Sequence, residues 1–363
     1  MKFGVWTPLP HTVRDEPIMA KAIAESEHQG GPQEPALAFK FVLEALQKAE
    51  SYGFGITLIA QRFLGPDLDS WMMSAALASR TKTIEIMPAV HPGIITPQVV
   101  AKLGATLDQI SGGRFAVNVV NGWFEQEFNM FGNGSWLKNP ENRYRRMEEF
   151  TRIIRGLWEK DRLDFSGSYY QVQDGQLPSR PRQPSSPPIY ATSNSETGKD
   201  IIARYCDVWF LSNGQNMEQT AHVGPEQYED NIQRMARDID DMRQRAASVG
   251  REVKFGLSAF VVCGDTDEQV RAEIDGHVAY SKLSKIHHVR TNGMASGLIG
   301  TPETIARRIE RLRDIGVEVL MLKFSPVLAG IESFSQRVMP LLDANIRPPQ
   351  LAKEERRTEA LAG

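Results

Sequence analysis

Short apolar runs alternate with amphipathic stretches along most of the chain. Apolar runs of about four to eight residues bounded by turn signals read as buried strands, and apolar positions recurring every third or fourth residue read as helices. On this reading strands lie at 2–7, 56–60, 84–90, 115–120, 188–192, 208–211, 255–262 and 319–324. Helices lie between them at 36–53, 71–79, from Pro97 to the glycine pair Gly112-Gly113, and at 145–158, 196–205, 225–249, 266–280 and 302–315, with a closing helix at 331–342. A proline at the first helical position supports the start at Pro97, and glycine takes the left-handed cap at Gly112 and Gly113 without steric cost. Eight strands joined by helical crossovers predict an α/β chain, a (β/α)8 TIM barrel with loop insertions occupying 1–363 as one domain.

Several stretches break the alternation. The polar segment 13–35 carries Gly30, Gly31, Pro32 and Pro35 and reads as a long loop, which after the first strand of a barrel is an active-site insertion. Residues 163–172, with Ser166-Gly167-Ser168 between aromatic-rich arms, read as a β-hairpin, and the Pro/Arg-rich 179–188 as an extended surface connection. The polar stretch 281–298 is either a lid over the mouth or an ordinary solvated loop, and 349–363 reads as a mobile tail.

Composition narrows the function classes. Hydrophobic content of 41% and charged content of 24% are those of a globular protein, and a net charge of −3 gives no reason to expect nucleic acid or a membrane surface as partner. The start of the chain enters a strand without a signal-peptide pattern, and no apolar run approaches membrane-spanning length, so a cytoplasmic location is expected. Cys206 and Cys263 are too few for a disulfide framework or metal cluster and read as buried free thiols. The seven histidines form no metal-ligand pair, so no metal site is expected, and neither a phosphate-binding glycine loop nor a G-x-S-x-G elbow is present.

The most informative stretch runs from Ile110 to Glu127. Its apolar strand is interrupted by Asn118, whose buried amide needs a fixed hydrogen-bond partner. That partner is a neighbouring carbonyl if the strand is plain core. If the chain is a barrel, Asn118, Asn121, Trp123 and Glu127 fall at a strand's C-terminal end, where barrel active sites lie. Further on, Ser193-Asn194-Ser195-Glu196-Thr197-Gly198 offers hydroxyls and backbone N–H groups at a helix start. This suits a phosphate, though an ordinary N-cap explains it equally well.

Ser111-Gly112-Gly113-Arg114-Phe115 leading into Val117-Asn118 and Asn121-Gly122-Trp123, then Asn142-Arg143-Tyr144-Arg145-Arg146-Met147 and Ile299-Gly300-Thr301-Pro302, together resemble the bacterial luciferase-like monooxygenases. Within that family the resemblance is to the reduced-FMN-dependent two-component branch, which includes dimethyl sulfone, alkanesulfonate and pyrimidine monooxygenases. It implies reduced FMN (FMNH2) and O2 as cofactors, a separate NAD(P)H-dependent flavin reductase as partner, and a homodimer or homotetramer. It also implies flavin contacts at Ala60, Gln61, Asn118, Glu127, Arg143, Tyr144 and Ser195. His11 and Trp123 are the catalytic candidates, while Arg62, His91, Ser258, Phe260 and Arg290 are candidates for the substrate pocket. On the seventh strand the alkanesulfonate enzymes carry an Arg and a His where this chain has Ser258 and Phe260, so no guanidinium is offered there. The pocket is therefore expected to favour a neutral, dimethyl sulfone-like organosulfur compound, oxygenated with C–S cleavage. Alkanesulfonate or pyrimidine oxygenation, deazaflavin-dependent hydride transfer on the same fold, and a non-enzymatic flavin-binding barrel are the alternatives.

Overall fold

A computed structural model describes residues 1–13, 16–27, 37–122, 124–132, 134–211, 225–284 and 297–342. The strands are β1 (Lys2–Trp6), β2 (Ile56–Ile59), β3 (Glu85–Val90), β4 (Val117–Val119), β5 (Leu163–Ser166), β6 (Gln171–Gly175), β7 (Ile189–Ala191), β8 (Val208–Leu211), β9 (Lys254–Phe260), β10 (Val262–Cys263), β11 (Ile299–Gly300) and β12 (Val317–Lys323). The helices are α1 (Pro17–Glu27), α2 (Leu37–Ser51), α3 (Ser70–Ala78), α4 (Pro97–Ser111), α5 (Glu125–Asn129), α6 (Pro140–Glu159), α7 (Glu196–Tyr205), α8 (Pro225–Ser248), α9 (Asp267–Ser284), α10 (Pro302–Asp314) and α11 (Val327–Ser333). Eight strands form a closed barrel in the order β1-β12-β9-β8-β7-β4-β3-β2, as the alternating pattern predicts. β5 and β6 form the expected antiparallel hairpin. No described helix is long and apolar enough to cross a membrane.

The chain divides into two compact units, the first comprising 1–57, 211–241 and 255–363 and the second 58–210 and 242–254. In the first, β12 pairs in parallel with β1 and β9, placing Lys323 opposite Phe260. Phe3, Phe54, Phe324 and Phe334 pack with ring centroids 5.8–6.3 Å apart. Gly4 lies so close to β2 that a Cβ would stand 2.9 Å from the Ile56 carbonyl oxygen, which is why glycine interrupts an otherwise bulky strand.

In the second unit, Arg114 explains the glycine-arginine motif. Gly112 and Gly113 turn the chain through positive φ (75° and 91°), which brings the Arg114 guanidinium under the end of α3. There it donates to the carbonyls of Ala78 (2.9 Å), Thr81 (3.2 Å), Ile84 (2.7 Å) and Ser111 (2.7 Å). One cation thus satisfies helix-end carbonyls that would otherwise lack partners. Asp108 ties down the extended 179–188 connection: its carboxylate accepts from the backbone N–H groups of Arg182 (2.6 Å) and Gln183 (2.9 Å).

Three expectations need correction. The segment 13–35 is not a continuous loop, because α1 occupies Pro17–Glu27. Its glycines and prolines cluster beyond the helix, whereas Pro17 suits a first turn and Met19 is fully buried. The closing helix begins earlier, at Val327, and gives way to a π turn at Phe334–Val338 and a 3-10 turn at Met339–Leu341. Pro340 cannot supply the N–H that a continuing α-helix requires. Cys263 is half-buried, unlike Cys206, because it lies in the two-residue strand β10. The parallel pair β10–β11 and the five-residue helix α5 are too short to show any periodicity. Most of 281–298 and all of 349–363 lie outside the described residues, as do Trp123 and Arg290.

Candidate active site

In a parallel barrel the C-terminal strand ends carry the chemistry. At the end of β2, Gln61 is buried; its Oε1 accepts from Ser70 N (2.8 Å) and its Nε2 donates to Asp69 Oδ2 (3.2 Å). Ala60, just before it, is half-buried. Arg62 is not available as an anion receptor: its Nε donates to Glu127 Oε1 (2.7 Å), and its guanidinium lies 5.1 Å from the Phe124 ring centroid. The same Glu127 oxygen accepts from the backbone N–H groups of Phe63 (3.1 Å) and Leu64 (3.2 Å). Glu127 therefore clamps the 62–64 turn.

At the end of β3, His91 is buried with Nδ1 3.1 Å from the Val120 carbonyl oxygen and Nε2 3.3 Å from that of Gln61. Burial pushes its pKa down, overriding the two carbonyls. A neutral imidazole has one N–H to donate, so one of the two carbonyls is left with a lone-pair-to-lone-pair approach. His91 borders a cavity of about 230 Å³ with Gln61, Trp71, Ile95 and Phe131.

Asn118, at the centre of β4, is 6% exposed, and its Oδ1 has no hydrogen-bond partner. The fixed partner that burial demands is therefore not among the described residues. Asn121 Oδ1, just beyond the strand, is in the same condition.

α6 and α7 add cations and hydroxyls. Arg143, in the first turn of α6, donates through Nη1 to the Leu137 carbonyl (2.6 Å) and stacks 4.3 Å over Trp136, while its buried Nε has no partner. Arg146, a turn later, is 4% exposed; its Nη1 donates to the Gly134 carbonyl (3.0 Å), and its Nε and Nη2 have no partner. Ser195 caps α7, its Oγ accepting from Gly198 N (3.1 Å). Ser193 Oγ donates to Tyr144 Oη (2.9 Å), lies 3.2 Å from Ser195 Oγ, and accepts from Ser195 N (3.1 Å). Trp209 holds this turn through Nε1 to the Ser193 carbonyl (3.1 Å). A Cβ on Gly198 would collide with Ser193 Oγ and stand 2.6 Å from Tyr144 Cε1.

The first unit holds a separate group. Trp6 Nε1 donates to Ser258 Oγ (2.8 Å), and Lys323 Nζ lies 4.0 Å from the Trp6 ring centroid. Phe260 is 3% exposed and stacks edge-on against His277 at 5.1 Å. His11 is half-buried beyond β1.

The structure thus brings Asn118, Arg143, Tyr144 and Ser195 into one unit with Ala60, Gln61, Glu127 and His91, and puts Ser258, Phe260 and His11 in the other. Three residues escaped the sequence reading. Ser193 lay within the hydroxyl motif but was passed over for its neighbour. Arg146 stood in the motif shared with the family but was given no role. Lys323 was signalled by a cation ending the apolar run Leu320-Met321-Leu322. Among the described residues no group of His, Cys, Asp and Glu is placed to hold a metal.

Residues 19–318 match the family described as luciferase-like monooxygenase. The FMNH2-dependent dimethylsulfone monooxygenase of Pseudomonas putida is 33% identical over 87% of this chain and 90% of its own length. The pyrimidine monooxygenase RutA of Enterobacter cloacae is 27% identical over 85% of this chain and 90% of its own. Among solved structures, EDTA monooxygenase from Chelativorans sp. BNC1 superposes with a TM-score of 0.72 at 17% identity, covering 96% of this chain and 95% of that one, which is a likeness of fold. With more than half its length matched by the family pattern and a relative one-third identical across most of both chains, this chain belongs to the luciferase-like monooxygenases.

Proposed function

We propose that the chain is the oxygenase of a two-component system, taking reduced FMN from a separate NAD(P)H-dependent flavin reductase and oxygenating a small sulfone. The observation that carries the flavin assignment is the Ser193–Tyr144–Ser195 hydroxyl cluster at the start of α7, beside Gly198, where any side chain would fill it. Hydroxyls and free N–H groups at a helix N-terminus suit a phosphate dianion. Two α6 guanidiniums with unsatisfied nitrogens, Arg143 and Arg146, suit the same charge. Asn118 Oδ1, buried without a partner, fits the polar edge of a planar ring that carries N–H donors.

Ser193, Ser195 and Tyr144 would hold the phosphate, and Asn118 the ring. Bound reduced FMN supplies the two electrons that activate O2. The protein positions the reactants and keeps water out. Glu127 fixes the 62–64 turn, and His91 stays neutral, adding no charge where burial would make one costly. Overall, dimethyl sulfone, O2 and FMNH2 would give methanesulfinate, a proton, formaldehyde, FMN and water. The sulfone assignment rests on the likeness to the dimethylsulfone monooxygenase of Pseudomonas putida.

The test is a coupled assay with FMN, NADH and a generic flavin reductase under air, offering dimethyl sulfone, a short alkanesulfonate and uracil separately, with products followed by mass spectrometry. Methanesulfinate from dimethyl sulfone alone is the expected result. Turnover of uracil or the alkanesulfonate alone overturns the substrate assignment. Absence of tight reduced-FMN binding overturns the cofactor assignment.

A further inference from the structure

Lys323 ends β12 with its ammonium in a pocket lined by Trp6, Thr7, Thr12, Phe260, Phe324 and other uncharged residues. The other polar side chains of that lining already have partners. Thr7 Oγ1 bonds Thr57 Oγ1 at 2.8 Å, Thr12 Oγ1 donates to the Leu9 carbonyl at 2.9 Å, and Trp6 Nε1 donates to Ser258 Oγ. The Lys323 ammonium has the Trp6 ring face at 4.0 Å and, among the described residues, no oxygen to donate to and no carboxylate. The Trp6–Ser258 bond fixes the orientation of that ring beside the cation. Burial alone pushes its pKa down to about 8. A cation held in this way without a counter-charge costs stability, and its three donors are available to a ligand. The cavity measures about 20 Å³, room for little more than one water-sized group, so it receives the tip of a molecule and not its body.

In register, Lys323 stands directly opposite Phe260. The cation absent from the seventh barrel strand is thus carried by its neighbour in the sheet.

We propose that Lys323 anchors the oxygen-bearing end of the substrate, donating to the sulfonyl oxygens of a small sulfone and holding the sulfinate that C–S cleavage leaves. This rests on the reading of the chain as a sulfone monooxygenase. Oxygenation of one methyl carbon by O2 and reduced FMN puts a hydroxyl there and releases water. When the C–S bond then breaks, its electron pair stays on sulfur as methanesulfinate, the hydroxylated carbon departs as formaldehyde, and the hydroxyl proton goes to water. Negative charge therefore grows on the sulfinate oxygens, where a fixed ammonium stabilises it most.

Binding to flavin-free protein tests the anchor without turnover. Methanesulfinate and dimethyl sulfone share the sulfonyl group and differ in charge. In wild type the anion is expected to bind more tightly than the sulfone, and to weaken between pH 7 and 9.5 as the ammonium loses its proton. Lys323→Gln should raise the Kd of methanesulfinate by about tenfold or more, as for a charge-assisted hydrogen bond. Lys323→Met, which removes a half-buried charge with no carboxylate partner among the described residues, should melt at or above the wild-type temperature, so that lost binding is not lost folding. On the unaltered protein, acylation of Lys323 by an amine-reactive reagent, followed by peptide mass, should be slowed by methanesulfinate and not by chloride at equal ionic strength. Equal sulfinate binding with and without Lys323, or no protection, overturns the anchor. Dimethyl sulfone turnover that is indifferent to Lys323→Gln also overturns it while leaving the monooxygenase reading intact. Lys323-dependent sulfinate binding with no turnover upholds the anchor and removes that reading.

Discussion

Single residues in this protein divide between those whose polar atoms are spent on the fold and those left over. His91 and Arg62 looked like substrate contacts, yet both are occupied, one by two carbonyls and the other by Glu127. Asn118 Oδ1 and Nε and Nη2 of Arg146 are left over. Two predictions belong at this scale. Gly198→Ala replaces glycine by the best helix former in the first turn of α7, which by propensity alone would gain about 1 kcal/mol. The new Cβ instead meets Ser193 and Tyr144, so FMN affinity is expected to fall by about tenfold or more, measured by flavin fluorescence quenching, with no gain in Tm. For His91, the folded-state pKa lies below 6.5, so the unfolded chain binds the proton more readily. Stability is full above pH 6.5 and declines as pH falls through it. Urea midpoints between pH 7 and 5 should fall more steeply for wild type than for His91→Gln.

At the scale of elements, the most conspicuous motif of the sequence turns out to serve α3 and α4. Gly112 and Gly113 end α4, and Arg114 donates to four carbonyls, those of Ala78 at the end of α3, Thr81 and Ile84 beyond it and Ser111 at the end of α4, on the approach to β4. Lysine cannot reproduce a planar five-donor fork. Arg114→Lys should therefore cost about 2–4 kcal/mol, since it leaves buried carbonyls unsatisfied, and should lower the urea midpoint with little change in the Kd for FMN. An equal loss of flavin affinity would mean that β4 is positioned through this cap. Glu127 does comparable work in α5, where one carboxylate oxygen gathers a guanidinium and two backbone N–H groups. A short helix with no readable periodicity thus fixes the turn after β2.

For the molecule as a whole, the balance between stability and function sits at the strand ends. The barrel strands bury mostly apolar side chains, whereas the buried polar groups Thr7, Thr57, Gln61, His91, Asn118 and Ser193 fall within or just beyond β1, β2, β3, β4 and β7. A cofactor that satisfies groups left without partners stabilises the folded state by mass action. FMN at about one hundred times its Kd should add about 2.7 kcal/mol to unfolding, read as a higher urea midpoint. The same addition to Gly198→Ala at the same concentration should give a smaller gain. An unchanged midpoint in wild type would argue against flavin binding.

The periodicity alone determined the barrel, because a buried parallel strand needs a continuous apolar run and a covering helix needs an apolar stripe, and both are local patterns. Helix ends at Gly112 and Pro97, the hairpin at 163–172 and the hydroxyl motif at Ser193–Ser195 were legible for the same reason, each being set by neighbours in sequence. Only the tertiary structure decided which polar groups remain available. Arg62 is paired with a residue 65 positions away and the Trp6 indole donates to one 252 positions away, whereas Lys323 meets a ring face and, among the described residues, no carboxylate. A charge on a loop and a charge in a pocket look alike in a sequence. Partners far along the chain, and the water they displace, make the difference between them.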